Sequence, residues 1–188
     1  MIEVQTLIAP VPDVESEEFA RLFCTVYPNF TSDVPAHVAS VQQAWRAWDG
    51  PTDLRPTRFA LPDNGKLMAN ATLVPRRVRT SRGEELIAGM ADVLTHPDAR
   101  GRGFGTQVVR PIFDLVDAGK FAFSLFQTAT AKVFYEKLGC VLVTQPIVNS
   151  LSAENPRANP FWEKFVMAYI PRGAHLPPGE IDLLGPGY

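Results

Sequence analysis

The sequence predicts an α/β (α+β) chain: a central mixed, mostly antiparallel twisted sheet flanked by helices on both faces, built as a single domain over residues 1–188. Three observations carry that reading. A length of 188 residues suits one core, at roughly 150 residues per domain. Hydrophobic residues make up 46% and charged ones 20%, a globular balance that excludes a disordered chain. The periodicities run strand, two helices, antiparallel strands, helix, strand, helix, strands, an order that lays helices on a mixed sheet.

Ile2 to Ala9 reads as the first strand, ended by Pro10 and Pro12. Glu15 to Val26 is a helix, with Phe19, Leu22, Phe23 and Val26 on one face and acids in its first turn. Asp33 caps a second helix with Pro35 just inside it; Val38, Val41, Ala44, Trp45 and Trp48 form its stripe, and Asp49-Gly50-Pro51 stops it. Phe59 to Leu61 is a short strand ending in the turn Pro62-Asp63-Asn64-Gly65. Lys66 to Arg79 and Glu85 to Thr95 flank Ser81 to Glu84 as a hairpin, and Pro75 marks a bulge or an edge position. A glycine-rich turn at Arg100 to Gly105 opens a helix whose apolar face is Val108, Val109, Ile112, Phe113 and Val116. Phe121 to Phe126 reads as a buried strand, Thr128 to Leu138 as a helix closed by Gly139, and Cys140 to Val148 and Phe165 to Ile170 as strands. Residues 149–160 form a polar loop, and the Gly- and Pro-rich tail 171–188 is expected to lie over the surface.

Charge excludes some partners. Eighteen Lys plus Arg stand against 20 Asp plus Glu, a formal charge of -2, so no global basic field draws the chain to nucleic acid or anionic lipid. The apolar stretches fall far short of the roughly 20 residues of a membrane span. Two cysteines, Cys24 and Cys140, make no disulfide framework, and the histidines have no metal spacing. The N-terminus lacks a basic segment followed by an apolar one, so a reduced, cytoplasmic protein without metal is expected.

The most informative stretch is Thr95-His96-Pro97-Asp98-Ala99-Arg100-Gly101-Arg102-Gly103-Phe104-Gly105-Thr106. Glycines between a strand and a helix expose consecutive backbone N–H groups and remove the Cβ atoms that keep a ligand away. The helix start adds roughly half a positive charge, and Arg100 and Arg102 add two more charges, so a phosphate or pyrophosphate belongs there. Gly105 is followed by Thr106-Gln107, which fits neither a P-loop nor a dinucleotide fingerprint.

Arg100-x-x-Gly103-x-Gly105 resembles the acetyl-CoA signature of the GNAT superfamily of N-acetyltransferases, and Ala131-Lys132-Val133-Phe134-Tyr135-Glu136-Lys137-Leu138-Gly139 resembles its later A-x-x-x-Y-x-x-x-G motif. The resemblance implies a GNAT fold and acetyl-CoA as co-substrate, passing its acetyl group to a small-molecule amine by direct attack. Backbone N–H groups of Gly101, Arg102, Gly103, Phe104, Gly105 and Thr106 would then hold the pyrophosphate, with Arg100 nearby. Val93, Leu94 and Thr95 would bond the pantetheine like an added strand, with Val93 or Leu94 polarising the thioester carbonyl. Thr128 stands where the family often has an asparagine on the cofactor. Pro111 departs from the pattern and is expected to kink the helix.

The reaction needs an acid for the departing thiolate and a base for the amine. Tyr135 matches the family's proposed acid, although Ala131, Phe134, Tyr135 and Leu138 also share one helical face as core residues would. Asp92, on the strand leading to the loop, is the base, with a bulge needed to re-aim it; a structural carboxylate is the other reading. Arg76, Arg77, Arg79 and Arg82 form the one dense basic run, either a solvated strand end or a contact for the adenosine 3′-phosphate or an acidic substrate. The tail is similar in placement to that of aminoglycoside 2′-N-acetyltransferases, and Glu180, Asp182 and the Tyr188 carboxylate would attract a cationic amine. A non-catalytic acyl-CoA-binding domain and an acyltransferase for a non-amine acceptor are the rival functions. Edge-strand pairing leaves a homodimer open.

Overall fold

A computed structural model describes residues 3–31, 33–46 and 49–188. The chain forms two compact units: Met1–Val74 with Asp92–Pro111, and Pro75–Ala91 with Ile112–Tyr188.

In the first unit, β1 (Gln5–Ile8) runs antiparallel to β2 (Thr57–Asp63), and β2 antiparallel to the first half of β3 (Lys66–Thr80). The turn between β2 and β3 is made by Asn64 and Gly65, both with positive φ (54° and 74°), the two-residue geometry that matches the twist of a hairpin. β2 is longer than the sequence suggests, because a register shift at Leu61/Pro62 accommodates the proline. Helices α1 (Asp13–Val26) and α2 (Val34–Arg46) pack against this sheet. As expected, Asp33 caps α2, its Oδ1 accepting from Ala36 N at 2.9 Å. The helices are tied by an Arg46–Asp13 ion pair and by Gln42 Nε2 donating to the Asp13 carbonyl at 3.0 Å. Phe19, Leu22, Ala60, Leu67 and Leu94 form the core, each large side chain contributing about 1.5–3 kcal/mol by leaving water. Of the expected elements, Ile2 and Trp48 lie outside the described residues.

In the second unit, the end of β3 lies beside β4 (Gly83–Thr95), and β4 pairs in parallel with β5 (Ser124–Thr128) at Ala88 and Gly89. β6 (Val141–Leu142) and β5 both run antiparallel to β8 (Phe165–Tyr169), while β7 (Ile147–Val148) runs parallel to β9 (Ile181–Asp182). Val78, Ile87, Phe123, Leu125, Ile147, Phe161, Val166, Ile181 and Leu183 make its core. Three elements contribute residues to both units. β3 crosses at Pro75, β4 at Asp92 with φ 49°, and α3 (Phe104–Asp117) just after Pro111. Pro75 falls between the last β2 partner, Leu73, and the β9 partner, Arg79, so its missing N–H leaves neither ladder short.

Four expectations are corrected. The strand expected at Phe121–Phe126 is shifted to Ser124–Thr128. The helix expected from Thr128 is α4 (Lys132–Lys137), because Thr128 ends β5 and turns its hydroxyl onto Ala131 N at 3.1 Å. The single strand expected at Cys140–Val148 is split into β6 and β7 on either side of Pro146. The tail is not a surface strap throughout: Ile181 and Leu183 are fully buried, and β9 pairs with β3.

Candidate functional site

The first unit carries the glycine turn. His96 is buried, its N–H donating to Met68 O at 2.8 Å and its Nδ1 accepting from Asp98 N, while Lys66 Nζ lies 2.9 Å from Nε2. This fixes the entry to a 3₁₀ turn at Pro97–Ala99. Gly101 and Gly103 then take left-handed backbone, φ 76° and 79°, which a side chain would strain; Gly105 is an ordinary residue of the first turn of α3. The first helical bond of α3 runs from Gln107 N to Gly103 O at 3.1 Å, so the N–H groups of Gly103, Phe104, Gly105 and Thr106 precede the intrahelical ladder. That geometry suits an anion. The two arginines are not equivalent. Arg102 is held by Asp63 at 3.0 Å and stacks 4.4 Å from the Phe104 ring, which offsets its charge, whereas Arg100 is exposed and makes no ion pair among the described residues.

Just upstream, Val93 and Thr95 are half-buried and Leu94 is fully buried in the core. Asp92 sits at an irregularity of β4, with a left-handed φ of 49°. Asn70 Nδ2 holds the Asp92 carbonyl at 2.9 Å and reaches the Thr72 hydroxyl at 3.2 Å. Burial raises the pKa of the Asp92 carboxyl, against the lowering effects of a hydrogen bond from Thr72 and of the Arg58 and His37 charges.

In the second unit, Tyr135 is buried on α4 with its ring 4.5 Å from Phe126 and 4.9 Å from Phe134. Thr128 serves as the cap of the turn into α4.

The tail residues are well partnered. Asp182 Oδ1 accepts from Ser150 N at 3.0 Å and Leu184 N at 3.1 Å, with Arg79 at 3.7 Å. Burial pushes its pKa up, but the Ser150 side chain and backbone, Leu184 N and the Arg79 charge outweigh that and hold it below the usual carboxylate range. The Asp182 carboxylate is thus already engaged by Ser150, Leu184 and Arg79. Glu180 pairs with Arg157 at 2.7 Å. The Tyr188 hydroxyl donates to Leu125 O at 2.9 Å, and burial pushes the phenol above its ordinary pKa.

Two residues beyond the expected set hold this tail. Arg76 donates to Pro186 O and Leu183 O and lies 5.3 Å from the Tyr188 ring. A Cβ on Gly185 would stand 2.5 Å from its Nη2, so a side chain there would displace the Arg76 guanidinium from the tail. Gln127 donates to Tyr188 O at 2.8 Å and accepts from Trp162 N and Glu163 N, both at 2.9 Å. Arg79 binds Asp182 and Arg82 binds His175 O, so three of the four arginines of the basic run clamp the chain's own tail. Only the dense charge was visible in the sequence, and it did not name its partners.

Among the described residues, no three His, Cys, Asp or Glu side chains are grouped to hold a metal, and no helix is long and apolar enough to cross a membrane.

A family model described as an acetyltransferase (GNAT) domain matches residues 8–143. No curated protein matches the chain by sequence. Among solved structures, the chain is similar to a GNAT family N-acetyltransferase (YhbS) from Escherichia coli in complex with CoA, at 13% identity and TM-score 0.59, covering 97% of this chain and 91% of that one. It is also similar to an aminoglycoside acetyltransferase from an uncultured soil metagenomic sample in complex with sisomicin, at 13% identity and TM-score 0.55, covering 73% and 84%. A probable N-acyltransferase from Enterococcus faecalis, at 15% identity and TM-score 0.57, aligns over 74% of this chain, which spans only 32% of that longer protein. These likenesses establish the fold.

Proposed function

The chain belongs to the GNAT acetyltransferases and is an acyltransferase, and from that premise we propose that it moves an acetyl group from acetyl-CoA to a primary amine of a small molecule, with residues 1–188 acting as one catalytic domain. The observation that carries the reading is the pair of left-handed glycines, Gly101 and Gly103, feeding the start of α3. The diphosphate sits against the N–H groups from Gly101 to Thr106, and Arg100 supplies the uncompensated charge. The pantetheine runs along Val93, Leu94 and Thr95 as an added strand. Thr128 stays in the cofactor set as a second contact, although its hydroxyl already accepts from Ala131 N.

The neutral amine nitrogen attacks the thioester carbonyl carbon, whose oxygen is polarised by the N–H of Val93 or Leu94. The amine proton passes to the Asp92 carboxylate. As the carbon–sulfur bond breaks, the thiolate takes a proton from the Tyr135 hydroxyl. The raised pKa of Asp92 supports the role of base, because it brings the group closer to neutral pH than an ordinary carboxylate. The acceptor is a cation of aminoglycoside-like character drawn to Glu180 and the Tyr188 end of the tail. The similarity to a sisomicin-bound acetyltransferase supports that class, and Glu180 would exchange its Arg157 partner for the ammonium group of the acceptor.

Calorimetry with acetyl-CoA, followed by thiol release from acetyl-CoA in the presence of sisomicin and spermidine, tests the proposal. Binding that weakens at least tenfold in Gly103→Ala is expected, because the side chain strains the left-handed turn. Absence of any coenzyme A binding by the wild-type protein would sink it.

A further inference from the structure

Arg58 has no place in the scheme above. It lies on β2 directly opposite Thr72 of β3, only 1% exposed. Its guanidinium carbon is 3.9 Å from the Phe19 ring centroid of α1 and 3.8 Å from that of Trp45 on α2, so the cation is stacked between two aromatic faces. None of Nε, Nη1 and Nη2 has a hydrogen-bond acceptor among the described residues. A cation withdrawn from water without acceptors is strongly unfavourable, and the rings offset only part of that.

The remaining compensation is a negative charge nearby, and the local geometry names it. Thr72, the register partner of Arg58, is bonded by Asn70, and Asn70 also holds the Asp92 carbonyl. The ionisable groups whose charges reach the Asp92 carboxyl are Arg58 from β2 and His37 from α2, whereas β3 presents the Thr72 hydroxyl to the carboxyl and Asn70 to the backbone carbonyl. On Arg58 itself, α1 presents the Phe19 ring.

We propose that Arg58 is a positioning residue of the acetyl-transfer site: a cation clamped between Phe19 and Trp45 that keeps the Asp92 carboxylate in its ionised, proton-accepting form. The proposal rests on the reading of Asp92 as the base. Desolvation favours the protonated acid, and a protonated acid takes no proton from the amine. Arginine suits the place better than lysine. Burial lowers its pKa only to about 9, so it stays charged at neutral pH, and its plane stacks where an ammonium would not.

The test follows the titration of Asp92 by the chemical shift of its carboxyl carbon, in the wild-type protein and in Arg58→Gln and Arg58→Lys. Removing the charge in Arg58→Gln is expected to raise the midpoint by about one unit or more, with a smaller rise in Arg58→Lys. The acid limb of kcat/KM, measured by thiol release with sisomicin and spermidine as amine probes, moves by the same amount. Because Arg58→Gln could fail to fold, a second measurement uses the wild-type protein alone: the guanidinium carbon of Arg58 is expected to shift with the Asp92 midpoint. A folded Arg58→Gln with an unmoved Asp92 midpoint, or an Arg58 signal that stays flat through that titration, overturns the coupling. Coupling observed together with full turnover by Asp92→Asn overturns the base reading instead, so the two failures are distinguishable.

Discussion

Two aspartates, one in each unit, meet burial in opposite ways. Asp182 is almost fully buried, yet it accepts backbone hydrogen bonds from Ser150 and Leu184 with Arg79 close by, and its pKa falls. The Asp92 carboxyl is the more strongly desolvated of the two, the cation that answers it is stacked between rings and donates no hydrogen bond to a described residue, and its pKa rises. Desolvation of the carboxyl and the number of donors aimed at its ionised form together decide the character of each acid. The saturated site fixes a loop to a strand. The undersaturated one is left able to exchange a proton.

The sharpest way to break this contrast is turnover. Asp92→Asn is expected to lower thiol release from acetyl-CoA by about 100-fold or more, while Asp182→Asn stays within about threefold. Asparagine tolerates left-handed backbone, so the first substitution leaves the β4 irregularity in place.

Stability should order the two variants the other way. Asp182→Asn loses donors aimed at a charge and is expected to lower the unfolding free energy by about 1–3 kcal/mol at pH 7 in denaturant melts. Asp92→Asn is expected to be at least as stable as wild type. A raised pKa means that ionisation of Asp92 opposes folding, a penalty that enters as pH rises above 3.8 and is complete once pH has passed the raised folded value.

Acid titration of stability sharpens the comparison further. The depressed pKa of Asp182 contributes stability that is fully present above its ordinary value of 3.8 and is lost as pH falls through the lower folded value. Melting curves between pH 5 and about 2 should show that loss in wild type and a shallower one in Asp182→Asn. The smallest effect expected is in Thr72→Val, which removes one hydroxyl from Asp92 and should raise its carboxyl midpoint by about half a unit to one unit.

Features set by neighbouring residues were legible in the sequence. The turn at Asn64-Gly65, the cap at Asp33 and the glycine turn at 100–106 depend on φ angles and a carboxylate acceptor within a few positions, and all three occur as read. Strand alternation called for an irregularity at Asp92, and its backbone there is left-handed. Features set by distant partners were not legible. Arg76 meets Pro186 across 110 positions, so a dense basic run looked like a solvated strand end rather than a clamp. Arg58 owes its environment to Phe19, Trp45 and Asp92, from three separate elements, and no local pattern joins them. Residues 129–131 carry no proline or glycine to announce that α4 is delayed; the Thr128 side chain sets that boundary.

The carboxamide of Gln127 is a three-way junction, serving Trp162, Glu163 and Tyr188 from the end of β5. A segment held by one shared clasp opens as one segment, since neither strand of contacts retains its partner when the clasp lets go. Protease nicks around residues 160–163 and 185–188 should accordingly appear with a common rate constant, and amide deuteration in both stretches should rise in step. Gln127→Ala would accelerate both together.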